Sequence, residues 1–445
     1  MKTWKHLYPD LCSFKNLYEA ARKAQRGKRC RPDVFAFHAR LEENLLALQE
    51  ELATCRWHPG PYREFYVQEA KRRLICAAPF RDRVVHHALC NIIEPLFENV
   101  FIYDSYACRK GKGTHAAANR YTAFSRQARY VIKCDIARYF PSICHEVLYA
   151  QLSRRIADRD VMWLCERVLR SYGDEGLLWP SGAGIPIGNQ TSQFFANVYL
   201  NDFDHWMKEE LHCRRYIRYV DDFVILHEDK RFLGSLIPRI EERLETIGAR
   251  LHPRKRTIFP VTEGCDFMGY RIWPDHRRLR PLNGYRFQRK LKKLARGYRA
   301  GTISRENARA SIMSWAGHAG HADTWGLRRA LYAGVSFSGG SAGKDVSCAA
   351  GRLLEQQQQE PPLGKPQQEQ PRQQEQQQRV PRGGFSGVAQ DSRTRVSVFA
   401  TANAESGASH SCVARPERAL RETTGRFPCH AHAHGQIENP AQAVW

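Results

Sequence analysis

The sequence lacks long hydrophobic runs and paired cysteine motifs. No apolar run reaches the roughly 18 residues that a membrane span needs, and the N-terminus has no signal-peptide hydrophobic core. The 14 cysteines are scattered singly, with no Cys-x-x-Cys pair, which is typical of reduced thiols in a core. We therefore expect a cytoplasmic protein with no membrane partner.

Acidic charge is also scarce. Lys and Arg number 69 against 46 Asp and Glu, so the formal net charge is +23, and the excess is spread through the chain. Such a surface favours an extended anionic partner, of which nucleic acid is the commonest. With 445 residues, the chain is long enough for about three domains of average size.

Two adjacent acidic residues, Asp221 and Asp222, stand at the apex of an apolar run in Tyr219-Val-Asp-Asp-Phe223. The pattern predicts a β-hairpin whose turn carries the carboxylates, with Val and Ile anchoring its arms. An ordinary Asp-rich turn would have the same pattern. Taken alone, this stretch does not decide between a catalytic turn and a structural one.

A second acidic position, Asp135, ends the apolar strand predicted at Tyr130-Val-Ile-Lys-Cys-Asp135. An aspartate that leaves a strand can meet an Asp-Asp hairpin about eighty-five residues later at one edge of a sheet. Three such carboxylates can hold two Mg²⁺ ions about 4 Å apart, the arrangement of two-metal nucleotidyl transfer. We therefore predict that Asp135, Asp221 and Asp222 are catalytic metal ligands.

At these residues the chain resembles reverse transcriptases. The stretch Gly184-Ile-Pro-Ile-Gly-Asn-Gln-Thr-Ser-Gln-Phe-Phe-Ala-Asn-Val-Tyr-Leu200 looks like that of the reverse transcriptases of diversity-generating retroelements. Most reverse transcriptases carry Gln-Gly after the proline, whereas this chain has Ile187-Gly188, and Ser192-Gln193 matches the subfamily's pair. The resemblance runs from about Asn16 to about Leu331. It implies a bacterial or phage-encoded RNA-directed DNA polymerase.

The resemblance also implies an α+β right-hand polymerase with a disordered tail. We expect the following segments: a basic helical extension at 1–60, fingers at 61–125, a palm with interleaved fingers elements at 126–275, a helical thumb at 276–335, and a low-complexity tail at 336–445. Six cations between Arg22 and Arg31 favour contact with template phosphates, although they could form a solvated loop.

Further site residues follow from charge and from the resemblance. Lys255 matches the family's lysine near the leaving pyrophosphate, where an ammonium could act as general acid, and Ile136 follows Asp135 in the metal-binding motif. Phe140 stands where these enzymes place an aromatic ring that excludes a ribose 2′-hydroxyl. We expect the nucleotide-binding residues to be Lys71, Arg72, Arg73, Arg109, Phe140, Ile187, Gly188 and Gln193. We expect the nucleic-acid-binding residues of the thumb to be Arg286, Arg289, Lys290 and Lys293.

Histidines in Ser314-Trp-Ala-Gly-His-Ala-Gly-His-Ala-Asp323 invite comparison with a metal site. No nearby cysteine or carboxylate cluster completes a set of ligands around His318 and His321, so structural histidines are the favoured interpretation.

The tail changes composition to Gln, Gly, Pro, Ser and Ala, which cannot bury a core. With plausible codons, Arg352 to Val380 shifts by one base into an Asn-rich string that ends in Gly-Phe and resembles the segments this family diversifies. We therefore predict that the tail is the retroelement's template repeat read out of frame. An ordinary disordered Gln-rich linker remains the alternative.

The resemblance implies particular partners. These are template RNA, a cDNA primer–template duplex, dNTPs and a small basic accessory protein that forms a ring. The product would be error-containing cDNA that diversifies a target gene. A retron or group II intron-type reverse transcriptase without a mutagenic role is the nearest alternative, and a catalytically silent RNA-binding scaffold is a more distant one.

Overall fold

The computed structural model describes residues 3–68, 72–172, 182–335 and 337. Over these residues helices are mixed with antiparallel sheets, so the predicted α+β class is confirmed. The predicted disordered tail at 336–445 lies outside the described residues except for Phe337, which is buried, and the predicted nucleotide ligand Lys71 also lies outside them. Within the described part, no helix combines the length and the apolar character that crossing a membrane requires.

The N-terminal segment is helical, as predicted for residues 1–60. Its helices are α1 (Tyr8–Cys12), α2 (Phe14–Ala24), α3 (Pro32–Ala39) and α4 (Leu41–Ala53). Leu45, Leu48 and Leu52 recur at helical spacing and are fully buried, so one face of α4 packs into the main core. Ser13 caps α2 by accepting a hydrogen bond from the Asn16 amide.

A basic hairpin follows, as predicted. Strands β1 (Arg63–Gln68) and β2 (Arg72–Ala77) pair antiparallel, and helix α5 (Phe80–Glu98) begins directly after them. Helix α6 (Thr114–Ser125) begins after a loop in which Gly113 adopts φ +108°. A glycine suits that position because L side chains rarely adopt such a backbone conformation.

The central sheet has four strands: β3 (Tyr130–Asp135), β4 (Tyr216–Tyr219), β5 (Asp222–His227) and β6 (Thr257–Pro260). Their order across the sheet is β4-β5-β3-β6. The helices of this region are α7 (Tyr139–Ser142), α8 (His145–Ser153), α9 (Arg159–Arg170), α10 (Gln190–Tyr199), α11 (Asn201–His205) and α12 (Lys230–Glu245). A π-helical turn (Trp206–Glu210) continues α11, and a 3₁₀ turn (Val261–Glu263) follows β6. Apolar residues of β3 and β5, such as Ile132 and Ile225, join the main core.

A three-stranded antiparallel sheet and three helices complete the described chain. Its strands are β7 (Cys265–Phe267), β8 (Tyr270–Ile272) and β9 (Arg277–Leu279). The helices that follow are α13 (Pro281–Arg299), α14 (Arg305–Gly320) and α15 (Trp325–Ala333). They have a core of their own, in which Phe287 and Trp315 stack with ring centroids 3.8 Å apart.

A cluster of aromatic rings links α14 to β8 and to the start of α6. The Tyr270 hydroxyl lies 2.9 Å from His318 Nδ1 and 3.2 Å from His115 Nδ1, and His115 stacks on His321. Burial lowers the pKa of His318 and lowers that of His115 to about 4, so both rings are neutral at pH 7. This arrangement agrees with the structural role predicted for His318 and His321. Sequence reasoning did not find His115, which is about two hundred residues away in the chain.

Candidate active site

The register of two neighbouring strands brings the predicted carboxylates together. Asp135, the last residue of β3, lies directly opposite Asp222, the first residue of β5. Opposed residues of an antiparallel pair point to the same face, with Cβ atoms about 5 Å apart. Asp221 stands next to them in the two-residue turn between β4 and β5. The hairpin predicted around Asp221 and Asp222 is therefore confirmed, and all three carboxylates share one edge of the sheet.

Backbone hydrogen bonds fix the end of β3 from both sides. The Ile136 amide donates to the Asp221 carbonyl at 3.0 Å. The Ala137 amide donates to the Arg250 carbonyl at 2.8 Å, and the His252 amide donates to the Asp135 carbonyl at 2.8 Å. Because these bonds come from separate chain segments, the carboxylates are positioned by tertiary structure and not only by the hairpin.

Burial and mutual repulsion destabilise the charged forms of two carboxylates. Burial raises the pKa of Asp221 to about 6, and the nearby Asp222 and Asp135 carboxylates contribute to the rise. Burial also raises the pKa of Asp222; the Lys133 ammonium opposes this effect and Asp135 adds to it. A partly desolvated cluster of like charges is typical of sites that bind a cation or a proton.

Two lysines offset part of this negative charge. Lys255 Nζ lies 2.5 Å from Asp135 Oδ2, which places the predicted general acid at the carboxylate edge. Its side chain is 39% exposed, so the ammonium can also reach solvent or a bound ligand. Lys133, which stands two residues before Asp135 in β3, donates to the Asp266 carbonyl at 2.7 Å. Sequence reasoning missed Lys133, although a lysine within an apolar strand is a signal in itself.

The oxygen atoms of the three carboxylates are suitable ligands for Mg²⁺. Mg²⁺ prefers hard oxygen ligands, and carboxylates with raised pKa values carry charge that a divalent cation would neutralise. As the side chains stand, no group of three His, Cys, Asp or Glu within the described ranges is already arranged to hold a metal. Asp135, Asp221 and Asp222 would supply the carboxylates, and Ile136, which is buried, could supply only its backbone carbonyl.

The Gly184–Leu200 segment packs against the basic hairpin. The Cys76 amide donates to the Ile187 carbonyl at 3.0 Å, and the Asn189 side chain bonds both the Ala78 amide and the Cys76 carbonyl at 3.2 Å. Gly188 has φ +123°, and a Cβ there would lie 2.8 Å from Ile75 Cγ2. Glycine is therefore required at this close approach. Asn189, which is 2% exposed, is a supporting residue that sequence reasoning did not single out.

Phe140 lies on α7, which is hydrogen bonded to this segment. It is half-buried on α7, its ring packs edge-on against Tyr139, and its carbonyl accepts a hydrogen bond from the Ile185 amide at 3.0 Å. The structure thus bonds Phe140 to the segment that contains Ile187 and Gly188, two residues before Ile187. Gln193 is half-buried on α10, in the same segment.

The hairpin cations Arg72 and Arg73 are exposed at the start of β2, and the Arg72 guanidinium lies over the Tyr66 ring at 3.8 Å from its centroid. On α13, the predicted Arg286, Arg289, Lys290 and Lys293 are all exposed, whereas Leu291 and Leu294 are buried. The amphipathic basic helix expected there is present.

The structure does not support the predicted nucleotide-binding role of Arg109. Its side chain is only 5% exposed, and its guanidinium pairs with Glu98 at 2.9 Å. The same group donates to the carbonyls of Ile102 at 2.7 Å and Ser105 at 2.8 Å. Its donors are thus directed at its own loop and at the end of α5. This geometry favours a structural role for Arg109 and gives no support to the predicted contact with nucleotide.

The comparisons with known proteins concern the same part of the chain. Residues 67–272, which contain all three carboxylates, match the family described as "Reverse transcriptase (RNA-dependent DNA polymerase)". This match defines the class of enzyme, a template-directed nucleotidyl transferase. The chain contains a reverse transcriptase domain, an RNA-directed DNA polymerase domain whose relatives include proteins encoded by group II introns.

Individual relatives are distant. "Protein YkfC" of Escherichia coli K12 is 26% identical over 275 residues, covering 53% of this chain and 72% of that protein. "Group II intron-encoded protein LtrA" of Lactococcus lactis is 23% identical over 224 residues, covering 48% of this chain but only 37% of that protein. A solved structure of Candida tropicalis telomerase aligns with a TM-score of 0.38 at 12% identity over 52% of this chain and 59% of that one, which is too low to support an argument.

The raised pKa of Asp221 gives a prediction for metal-free protein. Between the unfolded value of 3.8 and the folded value of about 6, the folded chain holds more protons, so its stability falls as pH rises. One pKa unit corresponds to about 1.4 kcal/mol. Asp221→Asn, a neutral substitute, should therefore raise the free energy of unfolding by about 1–3 kcal/mol at pH 7.5.

Urea unfolding in EDTA at several pH values measures this effect. The gain should shrink as the pH falls towards 4.5, where the native carboxyl is protonated in the parent protein too. A gain of equal size at both ends of the pH range, or no gain at pH 7.5, would contradict the assigned cause.

Proposed function

We propose that this chain copies an RNA template into cDNA, with Asp135, Asp221 and Asp222 as the catalytic carboxylates. The observation that carries the proposal is the strand register, which sets Asp135 opposite Asp222 beside the Asp221 turn. Polymerisation needs that constellation, whereas a protein that only bound RNA would gain nothing from burying three neighbouring carboxylates. The match of residues 67–272 to reverse transcriptases supports the same conclusion.

In this proposal the described chain divides as a right-hand polymerase. Residues 61–125 act as fingers, 126–275 as the palm that carries the carboxylates, and 276–335 as the thumb, preceded by the basic helical extension at 1–60. The exposed cations of α13 would bind the template–primer duplex. The bonds between β2 and residues 187–189 support the proposal, because they join the nucleotide-contacting hairpin to the palm.

Two Mg²⁺ ions bound at the carboxylates would activate the primer 3′-hydroxyl and neutralise charge on the leaving pyrophosphate. The chain's own residues then have distinct roles. Lys255, beside Asp135, would donate a proton to the pyrophosphate. Phe140 would exclude ribonucleotides, and Lys71, Arg72 and Arg73 would bind the triphosphate of the incoming dNTP.

Asp222→Asn should abolish RNA-templated dNTP incorporation while RNA binding stays nearly intact. An amide oxygen is a poorer Mg²⁺ ligand than a carboxylate, and a lost metal ion removes several kcal/mol of transition-state stabilisation. Primer extension on a homopolymer template and an RNA gel shift measure the two properties. Asp275→Asn, which alters an exposed carboxylate between β8 and β9, is the matched control. Near-normal extension by the Asp222→Asn variant would show that the catalytic assignment is wrong.

We further propose that the cDNA carries errors that diversify a target gene, with a small basic ring-forming accessory protein as partner. Support comes from Ile187-Gly188 and Ser192-Gln193, which match the pattern of diversity-generating retroelements. The Ile187 carbonyl is fixed by the Cys76 amide, so substitutions of its side chain leave the backbone anchored. An isoleucine side chain offers no hydrogen bond near the incoming nucleotide.

Ile187→Gln should therefore lower misincorporation opposite template adenine. A glutamine amide adds binding energy that depends on correct pairing geometry, which increases discrimination. Deep sequencing of cDNA made by the parent and the variant gives the error spectra, with template guanine and cytosine as internal references. Identical spectra would leave the mutagenic role without support and would favour a retron or group II intron-type enzyme.

A further inference from the structure

A fully buried ion pair lies directly behind the turn that carries Asp221. The Arg218 guanidinium and the Asp204 carboxylate both have 0% exposed side chains and approach to 2.6 Å. Arg218 Nε also donates to the same carboxylate at 2.7 Å, and the Tyr216 hydroxyl donates to it at 2.6 Å. Burying two charges is costly unless their geometry is good, and here both are well bonded. The ion pair holds the guanidinium of Arg218, on β4, in one orientation against Asp204 of α11.

The same guanidinium reaches the turn itself. Arg218 Nη1 donates to the Val220 carbonyl at 3.1 Å and to Asn197 Oδ1 at 3.3 Å. The buried Asn197 in turn donates from Nδ2 to the Ala107 carbonyl at 2.8 Å. Two side chains from different elements, Asp204 and Asn197, therefore orient the Arg218 guanidinium, which binds the Val220 carbonyl.

Val220 has a backbone conformation that a β-branched residue rarely adopts. Its φ is +55°, and it is the sole Val, Ile or Thr with positive φ in the part of the chain that the structure describes. Such a conformation persists only where surrounding contacts impose it, and it is characteristic of functional sites. Since Val220 immediately precedes Asp221, its backbone angles set the direction in which the catalytic turn presents its carboxylates.

The guanidinium is not needed to hold strand β4. The Arg218 amide donates to the Asp104 carbonyl at 3.0 Å, and the Tyr106 amide donates to the Arg218 carbonyl at 3.0 Å. Strand β4 also pairs with β5 from Tyr216 to Tyr219. These backbone bonds do not involve the side chain, so what the guanidinium adds at the turn is the bond to the Val220 carbonyl.

We propose that Arg218 is a positioning residue for polymerisation: anchored by Asp204, it holds Val220 in the left-handed conformation and so aims Asp221 and Asp222. The inference rests on the proposed function. It assigns a role in the reaction to a charge that never touches substrate. It also explains why an arginine stands in the apolar strand before the carboxylates.

The test removes both charges of the pair together, so that no unpaired charge is left buried. The double variant Arg218→Met, Asp204→Leu is made in the parent chain and again in a chain that carries Val220→Gly. Glycine adopts positive φ without steric cost, so the turn then needs less support. We expect the double substitution to lower primer extension about a hundredfold in the parent chain, but about tenfold or less in the Val220→Gly chain. We also expect the Mg²⁺ concentration for half-maximal extension to rise in the parent chain.

A second ion pair supplies the matched control. Arg83 on α5 is nearly buried and pairs with Asp33 on α3 at 2.8 Å, away from the β4–β5 turn. For Arg83→Met, Asp33→Asn, any loss of extension should be the same in the parent chain and in the Val220→Gly chain, because this pair makes no contact with the turn. Arg218→Lys provides a milder second variant, whose smaller loss should also be suppressed by Val220→Gly.

Equal losses in the two backgrounds, for both the double variant and Arg218→Lys, would overturn the proposal and assign the pair to folding alone. Full activity of the folded double variant would overturn it too. If the parent chain incorporates no dNTP, the proposed function fails. The coupling between Arg218 and Val220 is then still measured by urea unfolding of the same variants, and additive effects there would refute the positioning role.

Discussion

The concentration of negative charge at one sheet edge is the constraint on which the rest of the structure depends. Because β3 and β5 pair with Asp135 opposite Asp222, the carboxylates cannot separate without breaking the central sheet. Burial and their proximity raise the pKa of Asp221 to about 6, which means that the folded chain stores unfavourable charge there. Lys255 and Lys133 compensate for part of it. Neighbouring carboxylates with raised pKa values are typical of sites that bind a divalent cation.

The neighbouring elements hold this edge from several directions. Backbone bonds from residues 250–252 fix the end of β3, and the Asn189 amide fixes the end of β2 against the segment that contains Ile187. These hydrogen bonds join the basic hairpin to the segment that contains Ile187, and join the end of β3 to residues 250–252.

Local patterns in the sequence predict much of this arrangement. Leucines at near-helical spacing between Leu41 and Leu52 predict helix α4, and the basic turn between two strand-like stretches in Phe65–Cys76 predicts the hairpin. The acidic residues at the ends of apolar strands predict the carboxylate edge. Each of these features depends on neighbours within a few residues, which periodicity can detect. The grouping of Asp135, Asp221 and Asp222 was predictable because carboxylates at the ends of buried strands have few structural uses.

Features that depend on distant partners were not predictable in this way. Arg109 has the sequence context of a phosphate ligand, but Glu98 and two carbonyls of the folded loop occupy its guanidinium. Asn189 and His115 have ordinary local sequence, and their partners lie on other elements. Only the folded structure shows which polar side chains are already paired. Sequence patterns therefore predict ligand contacts for too many cationic side chains.

Iron-directed cleavage tests most directly whether the three carboxylates form one metal site. Fe²⁺ accepts oxygen ligands like those of Mg²⁺, and with ascorbate and peroxide it generates hydroxyl radicals that cut the nearby backbone. The account predicts cuts close to Asp135, to the Asp221–Asp222 turn and to the turn before Lys255, all suppressed by excess Mg²⁺. Cuts confined to other segments, such as the His115–His318 cluster, or cuts that Mg²⁺ does not suppress, would contradict it.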